Sequence, residues 1–333
     1  MNKSFADMWR SQCSSLNINI QPSVLPPVKR IIVLGDIHGD WSIMIKMLKL
    51  ANVIDENLQW IGGDTVVVQV GDQIDRCRNL PCNNQNSTKD DEGNDWKILQ
   101  FFTDLHKLAE LMGGAVYSLM GNHELMNTQG DMRYVSYKGM QELNTYQTEY
   151  KVDGKYSTGE ELREFLFKPG NKISNFLGCT RQFALIIGSN LFVHAGILPE
   201  IANKYKISDM NEIMSKYLWN QLENVKNYDD LLNSSSHSPL WNRKFGNIGM
   251  HQTEKSEQAC PTLLNPLKNI YKVDRIYVGH TPIIKEGIKS VCNGKVWLTD
   301  YGASKAFSNF KSKPIQDASV LEILDDVNIN ILH

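Results

Sequence analysis

The chain has 333 residues, a formal charge of −2 and 41% hydrophobic residues. That balance offers no basic stripe for nucleic acid and no cationic amphipathic helix for a membrane surface, and it supplies enough apolar mass for a sizeable core. No apolar run approaches the ~20 residues that span a bilayer.

Residues 1–30 lack an unbroken apolar stretch of the secretory kind, so a cytoplasmic location is expected. Six cysteines in a chain this long do not make a disulfide scaffold. Cys77 and Cys82 flank a loop that a bridge would fit, but free thiols in a reducing cytosol are the expectation. Asn86 and Asn233 begin glycosylation triplets, which carry no weight without an export signal.

Residues 1–29 read as a lead-in, with three prolines between Gln21 and Pro27 marking an extended linker. Arg30 to Leu34 has the composition of a buried strand and stops at Gly35-Asp36-Ile37-His38-Gly39. Ile43, Met44, Met47, Leu48 and Ala51 then fall at helical spacing. Thr65 to Val70 predicts a second strand, ending in Gly71-Asp72-Gln73-Ile74-Asp75-Arg76. Residues 77–95, rich in Asn, Asp and Ser, read as an exposed loop. Trp96 to Met112 predicts an amphipathic helix that Gly113-Gly114 stops. The strand Ala115 to Leu119 leads into Met120-Gly121-Asn122-His123-Glu124.

Residues 131–182 and 199–270 look like insertions or caps over the strand mouths. Between them, Phe183 to Val193 predicts a hairpin whose second strand ends at His194-Ala195-Gly196. Arg275 to Val278 is another strand, running into Gly279-His280-Thr281-Pro282. A hairpin with an Asn293-Gly294 turn and two closing strands, near residues 319–324 and 327–332, finish the chain.

Five strands thus end in glycine-bearing loops that carry Asp, His or Asn. In α/β proteins the carboxyl ends of strands form the functional edge, so ligands distant in sequence meet there. Carboxylates, imidazoles and one amide suit Mn²⁺, Fe²⁺ or Zn²⁺. Six donors exceed what a single open catalytic metal uses, and two metals sharing a carboxylate fit the number better. Asp72 is the natural bridge, because a carboxylate offers two oxygens.

The blocks Gly35-Asp36-Ile37-His38-Gly39, Gly71-Asp72-Gln73-Ile74-Asp75-Arg76 and Gly121-Asn122-His123-Glu124 resemble the three signatures of the phosphoprotein phosphatase superfamily of calcineurin-like metallophosphoesterases. Val193-His194-Ala195-Gly196 and Gly279-His280-Thr281-Pro282 resemble its remaining metal blocks, in family order. Gly130 to Val135 and Pro239 to Arg243 look closer to the Shewanella-like branch. Two departures stand out. Cys77 follows Arg76 where the family has glycine, and an insertion covers residues 78–95.

The resemblance implies an α/β fold of four layers, a central β-sandwich of two mixed sheets flanked by helices, in one domain over residues 30–333. It assigns Asp36, His38 and Asp72 to a first divalent cation and Asp72, Asn122, His194 and His280 to a second. Hydrolysis of a phosphomonoester would proceed by direct attack of a hydroxide bridging the two. His123, held by Asp75, would protonate the departing oxygen, with Arg76 and Arg243 clamping the phosphoryl group and Arg133 a further candidate. The expected substrate is a phosphorylated protein or peptide, on phosphoserine and phosphothreonine or on phosphotyrosine. A dinucleoside-polyphosphate hydrolase and a phosphopeptide-binding module without turnover are the rivals. Regulatory subunits are not legible in the sequence.

Overall fold

A computed structural model describes residues 4–310, except 79, 83, 147–157, 223–227, 252 and 254–256, together with residues 318–333. The apolar run Arg30–Leu34 forms strand β2, and Val66–Gln69 forms β3. Ala115–Leu119 forms β4, which pairs at its end with the short β5, Arg181–Gln182. β2, β3 and β4 are mutually parallel, with Leu34 level with Gln69 and Gln69 level with Ser118. Their carboxyl ends therefore open side by side. The closing strands β11, Val320–Leu324, and β12, Asn328–Leu332, add antiparallel to the free side of β2, giving the order β12-β11-β2-β3-β4-β5.

A second mixed sheet takes in Val24–Leu25 (β1), Ala184–Ile187 (β6), Asn190–Val193 (β7), Arg275–Val278 (β8), Lys289–Val291 (β9) and Val296–Leu298 (β10), in the order β1-β6-β7-β8-β10-β9. The predicted hairpin supplies β6, Ala184–Ile187, and β7, Asn190–Val193. β8, Arg275–Val278, runs parallel to β7, so His194 and Gly279 leave the sheet next to each other. β10, Val296–Leu298, and β9, Lys289–Val291, complete it as the expected hairpin.

Alternation along a strand decides which side each residue serves. Leu185, Ile187, Phe192 and Tyr277 turn toward the first sheet and join its core with Ile32, Val67 and Val116. Ala184, Ile186, Leu191, Val193 and Val278 turn the other way, into a second core with helices. Helices α2, Trp41–Leu50, and α3, Asp95–Glu110, bury Met44, Met47, Leu48, Ile98, Phe102 and Leu105 in the first core. The four-layer architecture follows from this two-sided burial, and it matches the expected fold class.

Helices within 131–182 and 199–270 supply much of the second core. α6 (Gly159–Phe167) and α7 (Lys172–Thr180) bury Leu162, Leu166, Phe167, Ile173 and Leu177 there, and the helix Ile207–Leu218 adds Met210 and Met214. The parts of these segments at 147–157 and 223–227 lie outside the described residues. Residues 5–13 of the lead-in form α1, and Val24–Leu25 form β1, parallel to β6.

The expectation of free thiols does not hold. Cys13 is bonded to Cys179, Cys77 to Cys82 and Cys260 to Cys292, which accounts for all six cysteines. Composition cannot reveal such pairs, because the fold alone docks α1 on α7 and brings together residues 166 positions apart. Among the described residues, no helix is long and apolar enough to cross a membrane.

Candidate active site

Three of the five loops, those after β2, β3 and β8, turn too sharply for ordinary backbone. His38, Asp72, Asp75 and His280 all have φ between 45° and 70°, a region that side chains other than glycine seldom adopt. Such strain persists where surrounding structure enforces it, and it collects at functional sites. Hydrogen bonds do the enforcing here. The backbone N–H groups of Ile37 and His38 both donate to Asp72 O at 3.0 Å, and Gly279 N donates to His194 O at 2.8 Å. Two glycines are required by close approach. A Cβ on Gly121 would overlap Asp72 Oδ1, and one on Gly279 would overlap Asp36 Oδ1.

All six expected metal donors are buried and converge. His38 Nε2 lies 3.7 Å from Asp36 Oδ2 and 3.8 Å from Asp72 Oδ2. On the other side, His194 Nε2 lies 3.3 Å from Asp72 Oδ1. Two donor clusters result, His38-Asp72-His123 and Asp72-His194-His280, with Asp72 common to both. Asn122 Oδ1 stands between His194 Nε2, at 2.9 Å, and His280 Nδ1, at 2.8 Å.

Backbone carbonyls fix which ring nitrogen is bare. Val70 O lies 2.9 Å from His194 Nδ1, Ile74 O lies 3.2 Å from His38 Nδ1, and Trp241 O lies 3.1 Å from His280 Nε2. A carbonyl can only accept, so His194 Nδ1 and His280 Nε2 carry the protons and the opposite nitrogen of each of those rings turns its lone pair inward, whereas His38 Nδ1 also lies 2.6 Å from the Arg78 guanidinium. Several lone pairs therefore face one another around Asn122 and Asp72, an arrangement that needs a cation or added protons between them. The titration directions agree. Burial lowers the His194 pKa, but Asp72, with the Val70 carbonyl and Glu124, makes the net shift upward. Burial raises the Asp72 carboxyl, yet His194, His123 and His38 hold it well below the usual range. Burial, then Asp300 and Asp72, push the Asp36 carboxyl well up. The donor set fits divalent cations in number and chemistry.

Within the first cluster, His123 Nδ1 lies 2.8 Å from Asp75 Oδ2, which leaves Nε2 on the side of Asp72, 3.8 Å from its Oδ2. Asp75 is itself held. Asn127 Nδ2 donates to Asp75 Oδ1 at 2.9 Å, and Arg163 Nη2, 3.6 Å from that oxygen, also bonds Asp95 at 2.8 Å. Glu124 accepts from the N–H groups of Gly121, Asp72 and Gln73 at 2.7–3.0 Å. It thereby fastens the second signature loop to the third. Burial and then Asp72 raise the Glu124 carboxyl to about 7.

The three expected arginines part company. Arg243 reaches the second cluster, its Nη1 donating to His280 O at 3.3 Å. Arg76 does not reach the centre. Its guanidinium is fully buried and donates to Gly39 O at 3.1 Å and Asp90 O at 2.9 Å, beside Asp40 and Glu92. Arg133 lies outside the centre as well, exposed and paired with Asp131 at 2.7 Å on the wall of a separate 750 Å³ cavity. Arg78 comes in instead, with Nη2 at 2.8 Å from His38 Nε2.

Sequence reading gave no role to Glu124, Asn127, Asp95, Arg163 or Arg78. Glu124 carried a signal, since an acid three residues after Gly121 in a strand-to-helix turn is placed to cap. The others act through contacts distant in sequence, or through a loop closed by a disulfide.

Comparison with known proteins places this geometry. A model of the calcineurin-like phosphoesterase family matches residues 29–283. An uncharacterised protein of Acanthamoeba polyphaga mimivirus is 37% identical over 253 residues, covering 70% of this chain and 97% of that protein. Shewanella-like protein phosphatase 2 of Arabidopsis thaliana is 30% identical, covering 96% of this chain and 81% of its own. A solved structure of a cold-active protein tyrosine phosphatase superposes with a TM-score of 0.67 at 23% identity, over 96% of this chain and 83% of that one, which shows a shared fold. The match over most of the chain, and the paired donor clusters at the strand ends, lead to one conclusion: this chain belongs to the calcineurin-like phosphoesterase family, stands with the Shewanella-like protein phosphatases, and is a phosphatase.

Proposed function

We propose that the protein hydrolyses phosphomonoesters on protein side chains, using two divalent cations. The observation that carries this reading is the pair of donor clusters sharing Asp72, with the Asp75–His123 pair alongside. Asp36, His38 and Asp72 would hold one cation, and Asp72, Asn122, His194 and His280 the other. Mn²⁺, Fe²⁺ and Zn²⁺ suit such donors. When bound, the cations supply Lewis acidity and an activated water.

The chain's own residues do the rest. Asp75 orients His123 through Nδ1, so that Nε2 can deliver a proton to the departing side-chain oxygen. Arg243, beside His280, is placed to hold a phosphoryl oxygen. Residues 30–333 would act as one catalytic domain. The relatives named protein phosphatases favour a phosphorylated protein or peptide over a dinucleoside polyphosphate. Three disulfides favour an oxidising compartment over the cytosol expected from the lack of a secretory stretch.

The test is turnover of phosphoserine, phosphothreonine and phosphotyrosine peptides against diadenosine tetraphosphate, with Mn²⁺ added to full-length protein. The proposal expects at least one phosphopeptide to be hydrolysed with higher kcat/KM than the dinucleotide. Preference for the dinucleotide would overturn the substrate class. Absence of turnover on every substrate would overturn the reaction.

A further inference from the structure

We infer that Arg163, in helix α6 of the segment 131–182, is a positioning residue for the proton donor, setting the aim of His123 through Asn127 and Asp75. This rests on the phosphatase reading and deepens it.

The chain of contacts is continuous, and Asp75, Asn127 and Arg163 are fully buried. Arg163 Nε donates to Asn127 Oδ1 at 2.8 Å. That bond decides which way the amide faces, because a donor holds its oxygen and only Nδ2 is left for the other side. Nδ2 donates to Asp75 Oδ1 at 2.9 Å and to His123 O at 2.9 Å. With one carboxylate oxygen engaged, the other, Oδ2, meets His123 Nδ1 at 2.8 Å. A reversed amide would set its oxygen against Asp75 Oδ1 and its N–H groups against the guanidinium, so acceptor would face acceptor and donor would face donor.

The far end of the guanidinium works on the backbone of the same aspartate. Arg163 Nη2 donates to Asp95 Oδ2 at 2.8 Å and stands 3.6 Å from Asp75 Oδ1. That Asp95 oxygen also accepts from Asp75 N at 3.4 Å, at a residue whose φ is 70°. One side chain therefore acts on both the carboxylate and the strained backbone of Asp75. Arg163 Nη1 donates to Gly139 O at 3.1 Å, and the guanidinium lies 4.8 Å from the Phe167 ring. Serving Asn127, Asp95 and Gly139 together takes a planar fork of donors, which lysine lacks.

Stability alone is a poor reason to place a guanidinium here. Burying an ion pair carries a desolvation cost that an apolar side chain of similar volume avoids. Leu162, Leu166 and Phe167 already anchor α6 in the second core. An apolar residue could not supply direction, and a general acid works only when its proton is aimed at the departing oxygen. The segment 131–182 thus does more than cover the strand mouths, because it also holds the acid.

The test is steady-state hydrolysis of two aryl phosphates by the Mn²⁺-loaded full chain. Phenyl phosphate needs a proton on its departing oxygen, whereas 2,4-dinitrophenyl phosphate releases a stable anion. Arg163→Gln should lower kcat on phenyl phosphate by about 10-fold or more, a share of the ~10²–10⁴-fold that general acid catalysis supplies. KM for both esters, and kcat on the dinitrophenyl ester, should stay within about threefold. Arg163→Lys keeps a charge near Asp95 without the fork, so it should show the same selective loss, smaller in size, and it decides the matter if Arg163→Gln does not fold. A second readout needs neither metal nor turnover. In metal-free protein labelled with ¹⁵N-histidine, the His123 Nδ1–H resonance, assigned by its disappearance in His123→Asn, should lie far downfield in the wild type and be shifted or lost in both variants. Equal losses on the two esters, unchanged phenyl phosphate turnover in a folded variant, or an unmoved resonance would each overturn the inference. A wild-type protein that takes up Mn²⁺ and hydrolyses neither ester nor any phosphopeptide would instead overturn the phosphatase reading, and the resonance would still decide whether Arg163 aims His123.

Discussion

The expected metal donors and the arginines of the loop after β3 are held by different means. His194 and His280 leave adjacent parallel strands, and carbonyl oxygens of Val70 and Trp241 set the orientation of each ring. Their places follow from the sheet, and the sheet follows from apolar runs visible in the chain. Arg76 and Arg78 belong to a loop after β3 whose path is set by a disulfide and by contacts with Tyr134, Gly39 and Asp90. Spacing along the chain says little about which of two arginines, two residues apart, turns inward. The comparison teaches that strand ends place side chains in a way sequence can carry, while the path of a disulfide-closed loop is not legible from spacing.

The largest effect expected from breaking the strand-end side comes from Asp72→Asn. Both donor clusters lose their common carboxylate, and turnover should drop by about 10³-fold or more, with bound metal reduced in elemental analysis. Activity within tenfold of wild type would mean that Asp72 is not shared. Gly121→Ala comes next. The added methyl collides with Asp72, so the loop must shift. Folding should cost about 3 kcal/mol by denaturant titration, with metal loss alongside.

His123→Asn separates the proton donor from the donor sets. Metal content should hold while kcat falls by about 10²–10⁴-fold, and least for substrates whose leaving group needs no proton. A uniform loss across leaving groups would assign His123 to binding instead.

The smallest effect sits away from the centre, at Glu142. It accepts from Trp96 N and Lys97 N at the start of α3, and burial, with Asp95 second, raises its carboxyl to about 7. The folded state therefore binds this proton more tightly than the unfolded chain. That contribution is complete below pH 4.5, the unconstrained value, and is lost as pH rises through about 7. Glu142→Gln should flatten the decline in stability across that window by roughly 2 kcal/mol, read from unfolding at pH 4.5, 6 and 8. An unchanged slope would show that Glu142 titrates normally.

The fold was legible because β2, β3, β4, β7 and β8 announced themselves as apolar runs leading into glycine-bearing loops, and the six donors sat in those loops; the two-residue parallel strands β1 and β5 gave no such signal. The remainder was hidden for physical reasons. Arg163 serves Asp95 across 68 positions and Asn127 across 36, pairings that exist only after α6 packs. The disulfide from Cys13 to Cys179 likewise depends on α1 docking, which a proline-rich lead-in gives no hint of. Arg133 fell outside the centre because Asp131, two residues away, claims it in the same turn.

Anomalous diffraction from crystals soaked in manganese tests the central claim most directly. The account predicts two peaks about 3.5–4 Å apart, with an Asp72 oxygen on each. A single peak, or none among the donors at the strand ends, would contradict it.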